Sequence, residues 1–242
     1  MTAAIDGAEL RAASTLSLGK RRALQAMSTP EQVFAILAID HISALSSVAR
    51  PEDPGSVTTA ELVSMKVAVV AAMAADASGV LIDPVLGLGP LILDDVVPGN
   101  IGLLVGLEDG DYASLTEAPR LFEGWDVERA ANSGATAVKC SFLYNPFSPS
   151  EAAHKFVSDL VADCDRHGLP LFAEPLAPSS TDRRSAVVES ARQIGALGVD
   201  ILKLEFPGDP SSEPQWHEAC LEVTEASPRP WTLLSGGSDF ET

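Results

Sequence analysis

Short apolar runs recur along the chain, and each ends in a polar or Gly/Pro cluster. They are VFAILAIDH at 33–41, GVLIDP at 79–84, IGLLVGLE at 101–108, ATAVKCSFLYNP at 135–146, LPLFAEPLAP at 169–178, VDILKLEFP at 199–207 and WTLLSGG at 231–237. Each has strand length. Between most of them lie segments with helical periodicity. TTAELVSMKVAVVAAMAA at 58–75 opens with a threonine cap, and SPSEAAHKFVSDLVADCDRHG at 148–168 opens on Ser-Pro-Ser-Glu and closes on Gly168. DRRSAVVESARQIGALG at 182–198 and SEPQWHEACLEVTEAS at 212–227 behave likewise.

The order reads β, α, β, β, α, β, α, β, α, β, α, β. The connection after Asp83, with Gly87, Gly89 and two prolines, reads as a loop carrying a short helix. Alternating strands and helices predict a parallel sheet covered by helices. Seven strands at a spacing of roughly 25–35 residues favour a (β/α)8 TIM barrel over a Rossmann sheet, and no GxGxxG follows the first strand. There is no internal repeat and no low-complexity linker. The expectation is an N-terminal helical segment over 1–30, with a helix at 9–28 closing the barrel bottom, and the barrel over 31–242. The sequence stops at SDFET after the seventh run, so the expected barrel is truncated C-terminally after strand seven. That leaves strands one and seven as edges. Weak phosphate affinity and poor solubility are the expected consequences, and the exposed edges raise the chance of a homo-oligomer without establishing one.

Composition narrows the function. The 242 residues are 46% hydrophobic and 5% aromatic, enough for one full α/β core. A net charge of −18 and a pI near 4.4 argue against nucleic acid, which needs a basic stripe. Cys140, Cys164 and Cys220 lack zinc-ligand or redox spacing and suit a reducing compartment. The N-terminus lacks a signal-peptide core, and no window approaches a membrane span. The expected location is the cytoplasm, with no membrane partner. His154, His167 and His217 read as solvated.

In a barrel, inward positions at the C-terminal strand ends form the active site. Read that way, the runs deliver Asp40, Asp83, Glu108, Lys139 with Ser141, Glu174, Lys203 with Glu205, and Ser235 before Gly236. Asp83 precedes a proline and can simply cap a turn. Glu108 opens the polar loop EDGDY and reads more readily as a solvated acid. Glu205 reads as a charge partner for a nearby lysine. Of five lysines, Lys20, Lys66 and Lys155 fit helices or their flanks, where a solvated stem is normal. Lys139 and Lys203 instead sit in AVKCS and ILKLE, where period two turns them inward. Burial favours the neutral amine, and two facing lysines disfavour each other's charge further. A neutral amine can attack a carbonyl and form an imine, an electron sink for carbon–carbon cleavage. Glu174, on the strand between them, is the natural proton carrier. The alternative is that both lysines serve in ion pairs with Glu174 and Glu205. Ser-Gly-Gly before a helix start at Ser238 or Asp239 suits an anion on backbone N–H groups, as does any tight turn.

FAILAIDH, SGVLIDP, GATAVKCSFLYNP, LPLFAEP, VDILKLEFP and PWTLLSGGSDFE, in this order and spacing, resemble the tagatose-1,6-bisphosphate aldolase family of class I aldolases. That family includes the sulfofructosephosphate aldolases. The resemblance runs from about residue 22 to the end. It implies Lys203 as the Schiff-base lysine, Glu174 as the proton-transfer residue and Lys139 as an aid near the substrate oxygens that lowers the amine's pKa. It further implies Asp40 on substrate hydroxyls or orienting a lysine, Ser235 and Gly236 on a phosphate, and no metal or other cofactor. The implied substrate is a phosphorylated ketose, split into dihydroxyacetone phosphate and glyceraldehyde 3-phosphate, or 3-sulfolactaldehyde for the sulfosugar relatives. Glu205 is carried as a further substrate-binding candidate.

The chain departs from the family pattern in two places. It reads Asp40-His41-Ile42 where members commonly carry an arginine at the third position, and it lacks the eighth strand, whose Gly-Arg end helps form the phosphate site. Two other readings compete. Asp40, Asp83, Glu108, Glu174 and Glu205 could hold a divalent metal at the barrel mouth, or the barrel could bind a sugar phosphate or a protein without turnover.

Overall fold

The computed structural model describes residues 16–110, 114–209 and 215–236. Seven strands form one parallel sheet in sequential order: β1 Ile36–Ala38, β2 Gly79–Ile82, β3 Gly102–Gly106, β4 Ala137–Leu143, β5 Leu171–Leu176, β6 Ile201–Leu204 and β7 Trp231–Leu233. Helices α1 Leu18–Ala26, α2 Ser43–Ala49, α3 Thr59–Met73, α4 Leu88–Leu93, α5 Val127–Asn132, α6 Glu151–His167, α7 Arg183–Ala196 and α8 Trp216–Ala226 flank it. This is a TIM-type (β/α) barrel with seven strands among the described residues. Helix α5 lies where the element order expects a helix between strands three and four, whereas α2, only seven residues long, does not stand out in the hydrophobic pattern. Of the expected helix at 9–28, residues 9–15 lie outside the described residues, as does the expected helix start at 238–239. No helix among the described residues is long and apolar enough to cross a membrane.

Local sequence explains where the helices begin and stop. Thr58 and Glu61 form a reciprocal capping box at the start of α3. Ser150 caps α6, which ends in a left-handed Gly168 at φ 68°. Asp182 accepts the Ser185 N–H at the start of α7.

Period two along the strands sorts side chains into two cores. Val80, Val105, Val138, Cys140 and Leu202 face outward and pack with helix residues such as Val157, Leu160 and Ile194. Leu81, Leu104, Ala137, Phe172 and Ile201 face inward and form an apolar floor with Met27, which follows α1. Each fully buried aliphatic side chain in these layers contributes about 1.5–3 kcal/mol. Met27 fits because Gly102 has no side chain: a Cβ there would lie 2.0 Å from Met27 Cγ.

The sheet does not close between β1 and β7 among the described residues. Both strands are only partly covered, and a cleft of about 860 Å³ lies between them, lined by Phe34–Ile39, Lys203 and Thr232–Gly236.

Two lysines expected to be solvated are buried instead. Lys20 pairs with Asp200 at 2.8 Å and Asp165 at 2.6 Å, tying α1 to β6 and α6. Lys66 is wholly buried. It donates to the carbonyls of Ile39 at 2.6 Å and His41 at 2.8 Å and pairs with Asp83 at 2.9 Å. One ammonium thereby fastens α3 to the ends of β1 and β2. His154 is also not fully solvated, for its ring nitrogen lies 2.9 Å from the Tyr144 hydroxyl.

Two stability outcomes follow from this packing. Gly102→Ala forces Met27 out of its seat and lowers stability by about 1–3 kcal/mol in urea unfolding, and Met27→Ala in the same chain restores part of it. Lys66→Met strands a buried carboxylate and lowers stability by about 3–5 kcal/mol. A loss within the noise of the unfolding curves would show that the pair is dispensable.

Candidate active site

The layer directly above the apolar floor is charged. Along β4 the inward positions run Ala137, Lys139, Ser141. On β5 they run Phe172, Glu174, and on β6 Ile201, Lys203. Parallel register places Lys139 opposite Gly106 and Ser141 opposite Glu174. The alternation that builds the floor therefore sets two lysines, a glutamate and a serine on one wall.

Their contacts are short. Glu174 Oε2 lies 3.0 Å from Lys203 Nζ and 3.3 Å from Lys139 Nζ, and accepts the Ser141 hydroxyl at 2.7 Å. Both ammonium groups thus share one carboxylate oxygen. Lys139 is also 2.8 Å from Asp40 Oδ2 and bonded to Glu108. Asp40 comes from beyond β1 and Glu108 from beyond β3. Asp40 reaches across because Gly106 leaves room: a Cβ at Gly106 would sit 3.3 Å from Asp40 Oδ2. Lys66 holds the peptide carbonyls on both sides of Asp40, which fixes where its side chain starts.

Burial and charge act against each other here. Burial pushes Lys139 down, but Asp40, Glu108 and Glu174 outweigh it and hold its ammonium well above the usual lysine range. The expectation that two facing lysines disfavour each other's charge is therefore corrected at Lys139, because its nearest neighbours are three carboxylates. Burial raises Asp40, yet Lys139, Lys203 and His41 bring it down to about 2. Burial likewise opposes ionisation of Glu174, but Lys139, Lys203 and the Ser141 hydroxyl leave it below its ordinary value. Glu108 goes up because burial and the nearby Asp40 and Glu174 charges exceed the pull of Lys139. Lys203 differs from Lys139 in its setting. Among the described residues its carboxylate partner is Glu174, and it borders the open cleft together with Ser235 and Gly236. Gly236 takes φ 66°, a left-handed turn that glycine adopts without strain. Gly237 lies outside the described residues.

The expected residues therefore fall into two groups. Lys203, Glu174, Lys139 and Asp40 converge, with Ser235 and Gly236 across the cleft from β1. Glu205 does not join them. It accepts the Ala177 N–H at 2.9 Å and pairs with Arg183, so it is a charge partner for an arginine rather than a lysine. Asp83 caps its turn, accepting the Val85 and Leu86 N–H groups at 3.0 and 2.6 Å, besides holding Lys66. The five acids do not gather on one point for a metal: three surround Lys139, one Lys66, one Arg183. Glu108, read as solvated, is buried. Lys66 was legible in principle, since Leu62, Lys66 and Val70 lie at i+4 steps on the covered face of α3.

An amine, a bridging carboxylate and a hydroxyl in one buried row can move protons while the amine attacks a carbonyl. Comparison with known proteins places the chain in a family. Tagatose 1,6-diphosphate aldolase 2 of Enterococcus faecalis is 28% identical over 94% of this chain and 76% of its own length. Tagatose 1,6-diphosphate aldolase 1 of Streptococcus mutans is 26% identical over 92% of this chain and 77% of its own length. A solved Schiff-base-forming fructose-1,6-bisphosphate aldolase shares the fold at TM-score 0.60, with 19% identity over 91% of this chain and 82% of that one. The model of the DeoC/LacD family aldolases matches residues 34–242. With that match over most of its length, the chain belongs to the DeoC/LacD family of aldolases.

Proposed function

We propose that the chain is a class I aldolase acting on a phosphorylated ketose, with Lys203 as the imine-forming residue. The observation that carries this reading is the single Glu174 oxygen shared by Lys203 and Lys139 at 3.0 and 3.3 Å. Lys203 transfers a proton to Glu174 and its amine attacks the ketose carbonyl carbon. The carbinolamine loses its oxygen as water, with Glu174 supplying the proton. Removal of the proton from the C4 hydroxyl then breaks the C3–C4 bond, the aldehyde leaves, and the electron pair enters the iminium as an enamine. Protonation at C3 and hydrolysis release dihydroxyacetone phosphate and restore the amine.

Lys139 keeps its charge through this cycle because three carboxylates surround it. It serves as a fixed cation that steadies developing negative charge on Glu174 and on substrate oxygens, not as a second nucleophile. The cleft beside Lys203 suits the phosphorylated end, on the backbone N–H groups of the Ser235–Gly236 turn. Tagatose 1,6-diphosphate is the substrate named for the relatives at 28% and 26% identity, which supports a phosphorylated ketose here.

Borohydride reduction with dihydroxyacetone phosphate, followed by peptide mass spectrometry, tests the assignment. The adduct is expected on Lys203 and is absent in Lys203→Met. An adduct on Lys139 overturns the assignment of roles. Glu174→Gln is expected to lower kcat by about 10²–10⁴-fold. A pH prediction concerns the frame. Asp40 stays ionised in the folded state down to about 2, against an ordinary value of 3.8. Its contribution, about 2 kcal/mol by linkage, is complete above pH 3.8 and vanishes as pH falls through 2. The stability gap between the wild type and Asp40→Asn therefore narrows from pH 5 to pH 2 in urea titrations. A gap that widens on acidification would contradict it.

A further inference from the structure

Beside Lys139, away from the open cleft, lies a compartment of about 190 Å³. Two carboxylate oxygens there, Glu108 Oε2 and Asp40 Oδ1, have no hydrogen-bond donor among the described residues. His41 Nδ1 lies 3.5 Å from the latter. Both side chains are 93% removed from solvent, with 7% exposure each. A buried acceptor without a donor is costly, so a ligand rich in O–H groups fits there. The sign of the lining agrees. Asp40, Glu108 and Asp109 face it, with Asp83 already paired to Lys66, against one ammonium among the described lining residues, that of Lys139, which itself meets three carboxylates. Arg120 stands 3.7 Å from Asp109 but is 88% exposed. A phosphate dianion needs converging cations or N–H donors and would meet like charges instead. The volume takes roughly six water-sized groups, the non-hydrogen atom count of a three-carbon hydroxyaldehyde without phosphate.

We infer that this compartment receives the unphosphorylated, hydroxyl-bearing half of the substrate, so that the ketose carries one phosphate, on its dihydroxyacetone end. Glu108 and Asp40 are specificity residues that accept hydroxyls of the aldehyde half. The inference rests on the Schiff-base reading of Lys203. In the synthetic direction, the enamine carbon bonds the aldehyde carbon, and the aldehyde oxygen takes up the proton. No further reactant is needed.

The test is aldol synthesis from dihydroxyacetone phosphate with either glyceraldehyde or glyceraldehyde 3-phosphate, alongside borohydride trapping. The expected result is kcat/KM at least tenfold higher for glyceraldehyde. Glu108→Gln, or the surface-tolerant Asp109→Asn should the first fail to fold, reduces that ratio at least fivefold. Equal or better use of glyceraldehyde 3-phosphate by an enzyme that still traps dihydroxyacetone phosphate overturns the inference and leaves the Schiff-base reading standing. Absence of any lysine adduct removes both.

Discussion

One carboxylate oxygen on β5 organises the charged layer of this barrel. Glu174 Oε2 lies between Lys139 and Lys203 and also takes the Ser141 hydroxyl. Taking three charges out of water is expensive unless each is matched at short range. Three parallel strands in register provide that match, because neighbouring strands lie about 4.8 Å apart and side chains at one height converge. Lys139 is matched further by Asp40, from beyond β1, and by Glu108, from beyond the adjoining β3. Removing any member leaves the others uncompensated, so the layer behaves as a unit rather than as a sum of pairs.

That layer depends on what lies under and beside it. The floor of Leu81, Leu104, Phe172 and Ile201, with Met27 against Gly102, excludes water from below. Beside it, Lys66 binds the carbonyls flanking Asp40. An ammonium on α3 thus fixes where an acid of the charged layer begins. The two lysines of the row diverge for the same reason. Lys139 is enclosed by acids and locked in its charged form, whereas Lys203 borders the cleft where a ketone could approach. Similar side chains on adjoining walls acquire different work from their neighbours.

Hydrophobic periodicity was sufficient for the strands, the longer helices and the inward placement of Lys139, Ser141, Glu174 and Lys203, because period two and period 3.6 are local properties. Helix α2 is too short to show a period, whereas α5 lies where the element order expects a helix between strands three and four. Glu108 looked like the start of a solvated loop. The backbone of Leu121, thirteen residues downstream, bridges back to it, a pairing the local sequence does not show. Glu205 shared parity with Lys203, yet β6 ends at Leu204, and beyond a strand end parity no longer dictates direction.

What the chain determines unaided is therefore the alternation of elements and which side chains of each strand turn inward, since both follow from backbone geometry over a few residues. Only the tertiary structure decided the partners: that Asp40 crosses to Lys139 over Gly106, that Glu108 joins them, that Lys66 is a buried strap and that Glu205 goes to Arg183. Those pairings join residues far apart in sequence, and no local pattern records how close folding brings them or how little water remains between them.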